Sequence, residues 1–226
     1  MENELIKLKE IINEIEDVDQ ETIIEAEKRM ISLAKPPNSL GKLEDISIKL
    51  AGITGKVKNT INKKLVIIMC SDNGVVEEGV ASSPQSVTLA QTINFTKGLT
   101  GVAVIAKANN TDLKILDVGI NCDFTYSEVI DRKIRKSTSN IAKGSAMTYE
   151  EAVKGILIGI EAVCDAKSEG YEILGVGEMG VGNTTTSSSV ISALTGARVE
   201  DVVGRGAGLT DEGLKKKVSV VKKAIE

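Results

Sequence analysis

The sequence predicts an α/β fold: a three-layer, mostly parallel, Rossmann-like sheet with a helical extension at its N-terminus. Three observations predict it. Short apolar runs such as Lys64–Cys70 (KLVIIMC) show no polar alternation, as strands buried on both faces do. These runs alternate with stretches of helical periodicity, the pattern of crossover-connected parallel strands. Helical periodicity alone fills the chain before the first run, so residues 1–36 are read as the helical extension and 37–226 as the α/β domain.

The elements follow in order. Residues 4–17 space Leu5, Leu8, Ile12 and Ile15 helically. Asp19 caps a second helix carrying Ile23, Ile24, Met30, Ile31 and Leu33, which Pro36-Pro37 stops. The stiff turn Lys35–Glu44 enters a third helix with Ser39 as its cap, and its two lysines and serine fit a phosphate contact as well as plain turn chemistry. After strand 64–70 comes a long polar loop, Ser71–Ser86, then a helix through Gln91 and Phe95. Gly98–Gly101 breaks the chain before a helix over Val102–Ala108, and Leu113–Val118 is a second strand. Residues 119–147 read as irregular. Thr148 to Glu151 is a capping box opening a helix to about Ser168, which Gly170 ends. Tyr171–Val176 is a strand, Asn183–Leu194 a Thr/Ser-rich helix and Val199–Val203 a short strand. Thr210 or Asp211 caps a last helix with Leu214, Val218, Val221 and Ile225 on one stripe.

Composition excludes several chemistries. The chain has 226 residues and a formal net charge of -4, so it lacks the basic field of a nucleic-acid binder. With 3 Tyr, 2 Phe and no Trp it has little to stack bases on. It has no histidine, which removes His-based triads and His metal ligands; no metal site and no cofactor is expected. Three scattered cysteines form no disulfide framework, and no apolar run is long enough for a bilayer; a cytoplasmic protein without membrane contact is expected.

In open α/β sheets ligands bind beyond the carboxyl ends of strands. Three loops there attract attention. Ser71–Gln85 is long and carries three carboxylates. Gly175–Thr186 (GVGEMGVGNTTT) joins a strand to a helix; its glycines allow close backbone approach, and the helix N-terminus with Thr184 and Thr185 favours a phosphate. Gly204–Gly208 precedes the last helix, with Arg205 and Lys217 as cations. Glu178, a carboxylate among glycines and apolar residues, suits proton transfer if burial raises its pKa. Residues 175–180 also match GxGxxG, with Glu200-Asp201 following, which keeps an NAD(P)-dependent enzyme as an alternative.

Taken together and in this order, LAKPPNSLGKLE (33–44), MCSDNGVVEEGVASSPQSVT (69–88), LDVGIN (116–121), GVGEMGVGNTTT (175–186) and VVGRGAG (202–208) resemble the nicotinate-nucleotide–dimethylbenzimidazole phosphoribosyltransferase family. The resemblance implies transfer of phosphoribose from nicotinate mononucleotide to 5,6-dimethylbenzimidazole or a related aromatic base. The products are an α-ribotide 5′-phosphate and nicotinate, made for the cobalamin nucleotide loop. It implies Ser83, Gln91 and Met179 at the base and Glu178 beside the reacting groups. Around phosphate and ribose it implies Gly180, Gly206 and Lys217, to which the glycine loop adds Gly182, Asn183, Thr184 and Thr185. It further implies a homodimer.

The chain departs from the family in three places. Asn38 stands where a glycine is usual and Asn73 where a histidine is usual after Asp72. The family's glutamate general base lies in a C-terminal segment beyond Glu226. This predicts a catalytically incomplete nucleotide-binding fragment or subunit needing a partner chain for that segment, weak alone and exposing the apolar stripes of its first and last helices.

Overall fold

The computed structural model describes residues 2–226, in two compact units, 2–62 and 63–226. The first holds α1 (Glu2–Asn13), α2 (Gln20–Ser32) and α3 (Lys42–Thr54). Asp19 caps α2, its carboxylate accepting from the Thr22 N–H (2.9 Å) and hydroxyl (2.9 Å). Helix α3 packs on α2: a Cβ at Gly52 would fall 2.5 Å from Ile23 Cγ1. That packing places the division at residue 62, where the sequence suggested 36. Ser39 does not cap α3. Gly41 stands at the cap with φ +54, and the Ser39 N–H instead closes a turn onto the Pro36 carbonyl. Lys35 is spoken for, its ammonium 2.7 Å from the buried Glu44 carboxylate. The Lys35 contact and the Leu40 N–H hold that carboxyl below its ordinary range.

The second unit is built on a four-stranded, wholly parallel sheet in the order β3-β2-β1-β4. Its strands are β1 (Lys64–Ser71), β2 (Thr111–Gly119), β3 (Val129–Asp131) and β4 (Ile173–Met179). Helices α4 (Ser86–Thr96) and α5 (Gly101–Ala108) carry the chain from β1 to β2 on one face, and α6 (Tyr149–Ser168) leads from β3 to β4 on the other. Strand β1 explains its own composition. Leu65 and Ile67 pack with Ala162 and Ala166 of α6, while Ile68 and Cys70 pack with Phe95 of α4. Both faces are covered, so both sets are apolar. Each such aliphatic side chain contributes about 1.5–3 kcal/mol by leaving water.

Three local expectations change. β3, three residues long, lies inside the stretch read as irregular; it pairs Ile115–Asp117 of β2 and is too short for periodicity to reveal. β4 begins and ends later than read, so Glu178 and Met179 are strand residues. Val199–Val202 is a helix, α8, not a strand; its valines pack against α7 (Asn183–Thr195) and α9 (Asp211–Ile225) and find no strand to pair. The stripe of α9 is largely covered by that cluster: Val221 is fully buried, Leu214 and Val218 half-buried, and only Ile225 is exposed. No helix among the described residues is long and apolar enough to cross a membrane.

Candidate functional site

The crossovers leave β1 and enter β4 on opposite faces of the sheet, so a crevice opens between the carboxyl ends of these two neighbours. A cavity of about 320 Å³ fills it. Three loops line it: Val80–Ser83 after β1, Gly180–Thr184 at the start of α7 and Arg205–Ala207 before α9, with Val87 of α4 and Met179 of β4 beneath. The Ser82 hydroxyl donates to the Ala207 carbonyl (3.3 Å), joining the first and third loops. Of the residues expected at the site, Ser83, Met179, Gly180, Gly182, Asn183, Thr184 and Gly206 meet here.

Others lie elsewhere. Gln91 sits one helical turn beyond Val87 and does not line the cavity; the Asn94 amide donates to it at 3.5 Å. Glu178 is exposed rather than buried, and it does not line the cavity either. Side chains alternate along a strand. Met179 therefore faces the α4 side with Cys70, while Glu178 pairs in register with Met69 and faces the α6 side, where the Asn183 amide donates to it. The same alternation accounts for Gly175 and Gly177. Both are strand residues, and a Cβ on them would meet Val66 Cγ2 (3.1 Å) and Ile68 Cγ1 (3.7 Å). The GxGxxG match thus runs along β4 instead of forming a strand-to-helix turn, and nothing in it cradles a pyrophosphate.

The turn into α7 is built by close approach. A Cβ on Gly180 would lie 2.0 Å from the Ser71 carbonyl oxygen, and Gly182 has φ +90. Much of the expected helix-terminal donor set is already used. Val181 N–H donates to Thr88 Oγ1 (3.1 Å), Asn183 N–H to the Gly180 carbonyl, Thr184 N–H to Asn183 Oδ1 and Thr185 N–H to the Gly182 carbonyl. Thr185 is fully buried, and among the described residues its hydroxyl has no partner.

Positive charge lies behind the cavity wall, on a lysine that does not itself line the cavity. Lys217, on α9, is 0% exposed. Its ammonium donates to Thr184 Oγ1 (2.7 Å) and to the Gly204 carbonyl (2.9 Å). A Cβ on Gly206 would stand 3.7 Å from its Nζ. Among the described residues no carboxylate pairs with it, and burial lowers its pKa. Arg205 adds a second cation at the cavity rim, steadied by Asp211 and by the Leu209 carbonyl (3.0 Å). A buried, uncompensated cation is costly unless an anion completes it. Among the described residues no carboxylate lines the cavity, and no group of three or more Asp, Glu or Cys is placed to hold a metal ion.

Sequence reading singles out Lys217 both as a cation near the third loop and through the resemblance. Asp72 enters it only as one of the first loop's three carboxylates; in the structure it is buried and ties three segments together by accepting from Thr88 Oγ1 (2.7 Å) and the Asn121 N–H (2.8 Å).

A family model described as phosphoribosyltransferase matches residues 15–226. The chain is 58% identical over 219 residues to the nicotinate-nucleotide–dimethylbenzimidazole phosphoribosyltransferase of Clostridium perfringens (strain 13 / Type A) and 48% identical over 220 residues to that of Clostridium acetobutylicum. Both alignments cover 97% of this chain, and 61% and 62% of the relatives. The crystal structure of CobT from Thermus thermophilus superposes with a TM-score of 0.87 at 40% identity, over 91% of this chain and 62% of that one. The chain thus spans about three-fifths of the length of the relatives it matches, and it belongs to the phosphoribosyltransferase family that the model and these relatives define.

Proposed function

We propose that the chain binds nicotinate mononucleotide and an aromatic base, 5,6-dimethylbenzimidazole or a relative, in the cavity between β1 and β4, for phosphoribosyl transfer in cobamide assembly. The observation that carries this reading is Lys217, a buried cation awaiting an anion behind Thr184 and Gly206. The 5′-phosphate sits against the Gly180–Thr184 turn and Gly206, with Lys217 and Arg205 supplying charge. Val80, Val87, Met179 and Val181 offer the apolar wall for the base, with Ser83 as a polar contact. The base's ring nitrogen forms the new bond to the anomeric carbon. The bond to nicotinate breaks, its electron pair neutralising the pyridinium, and the base's N–H proton passes to an acceptor. Aligning the two rings supplies most of the acceleration.

No carboxylate lines the cavity among the described residues, which favours a second reading: a nucleotide-binding unit whose proton acceptor comes from outside these lining residues. Partner chains, a homodimer and a cytoplasmic setting belong to the same proposal. Incubating the chain with both substrates and resolving ribotide from nicotinate by chromatography tests it. Binding with turnover roughly 10²–10⁴ below a full-length relative supports the second reading, the usual worth of positioned proton transfer. Equal turnover supports the first, and no binding of nicotinate mononucleotide removes both.

A further inference from the structure

We propose that Asn73 is a positioning residue whose side-chain amide holds the Gly180–Asn183 turn in the conformation that receives a phosphate group; the inference rests on the anion reading of the cavity above. Asn73 stands two residues beyond the end of β1 and does not line the cavity. Its Nδ2 donates to the Val181 carbonyl (3.2 Å), and its Oδ1 lies 3.2 Å from the Thr186 hydroxyl, whose single proton it shares with the Asn183 carbonyl at 2.8 Å. Its backbone carbonyl is fixed in turn by Gln85 Nε2 (3.2 Å), which ties the β1 loop to the same point. One side chain therefore grips the turn on its last residue before the cap and on the first turn of α7.

The fit leaves no slack. A Cβ on Gly180 would lie 2.9 Å from Asn73 Nδ2, and one on Gly182 would lie 3.3 Å from Asn73 Cβ and 2.8 Å from Val76 Cγ2. The turn is pressed against Asn73 on both sides of Val181. Between these contacts, the Gly182 N–H is left without a partner among the described residues, while its neighbours Val181, Asn183 and Thr184 are all bonded. The amide group suits this place because it offers a donor and an acceptor together, and both are used. An aspartate there keeps the acceptor for Thr186 but sets a carboxylate oxygen against the Val181 carbonyl and adds negative charge behind an anion site. Alanine loses both bonds.

The test is a titration with inorganic phosphate, followed at the Gly182 amide by ¹H–¹⁵N NMR, in the 226-residue chain and in Asn73→Ala, Asn73→Asp and Thr186→Val. In the unaltered chain the Gly182 resonance moves downfield with phosphate. Thr186→Val raises the phosphate Kd about two- to tenfold, the worth of one net hydrogen bond; Asn73→Ala, which loses both contacts, and Asn73→Asp, which adds a negative charge, raise it further. The amides of Ile67 and Ile68 in β1 keep their shifts, which a general loss of structure would not allow. Thr186→Val removes the hydroxyl shared by Asn73 and the Asn183 carbonyl, leaves the Asn73 side chain in place, and carries the test together with Asn73→Asp if Asn73→Ala does not fold. Unchanged phosphate affinity in Asn73→Asp and Thr186→Val overturns the positioning role alone. No response of the unaltered chain to phosphate overturns the anion reading, and the inference with it.

Discussion

Cys70 and Lys217 show how burial sets the chemistry of single groups. Cys70 is 0% exposed, and burial pushes its thiol up to about 11, so the nucleophilic thiolate is scarce at neutral pH. Cys164 is exposed. Thiol titration of the folded chain is therefore expected to consume Cys164 first and Cys70 only on unfolding; early modification of Cys70, mapped by mass spectrometry, contradicts its burial on β1 beneath α4. Lys217 is the converse case. Its pKa falls below the ordinary lysine value, so between the two values the unfolded chain binds more protons than the folded one. Stability is expected to rise with pH through that window, up to about 10.4, and Lys217→Met is expected to flatten the rise. Denaturant melts of both proteins across this range check the slope. The sequence could not show this: a lysine on an amphipathic helix reads as solvated until the packing of α7 on α9 is known.

Among the elements, α6 shows what is legible in a sequence. Its capping box, with Thr148 Oγ1 accepting the Glu151 N–H (3.1 Å) and Glu151 accepting the Thr148 N–H (2.8 Å), is plain from four residues. Thr148→Ala is expected to cost about 0.5–2 kcal/mol in urea unfolding without a change of slope; no loss of midpoint contradicts the cap's role. Caps, glycine stops and doubly buried strands are local or follow one period, so α2, α6, β1 and β2 can be read. What escapes such reading depends on distant partners. β3 exists only as a pairing to β2, and α8 is helical because α7 and α9 receive its valines. The glycines of β4 resemble a nucleotide fingerprint in one dimension and serve packing against Val66 and Ile68 in three. Strand alternation, once β4 reaches Met179, sends Glu178 and Met179 to opposite faces.

At the scale of the molecule, the uncovered apolar surface is not where the last helix put it. The apolar stripe of α9 is largely covered, but Val176 of β4 is 84% exposed and Leu194 of α7 81% exposed, with Val190 and Ile191 beside Leu194 on α7. In the helical unit Ile15, Ile31, Leu43 and Ile53 are also exposed. Apolar area of this kind marks interfaces or self-association. Sedimentation velocity is expected to show concentration-dependent association with uptake of an apolar dye; a compact monomer at ~100 μM without dye binding contradicts it, since micromolar association would appear there.

The central claim, that the β1–β4 cavity takes a phosphate group whose charge Lys217 completes, has one direct measurement. Thermal unfolding is followed with and without nicotinate mononucleotide in the unaltered chain and in Lys217→Met. Ligand at about a hundredfold its Kd stabilises the folded state by about 2.7 kcal/mol, roughly 5–10 °C for a unit of this size. The account predicts that shift in the unaltered chain. For Lys217→Met it predicts an equal or higher starting midpoint, because an unpaired buried charge is gone, with little or no response to the ligand. The same ligand-induced shift in both proteins contradicts it.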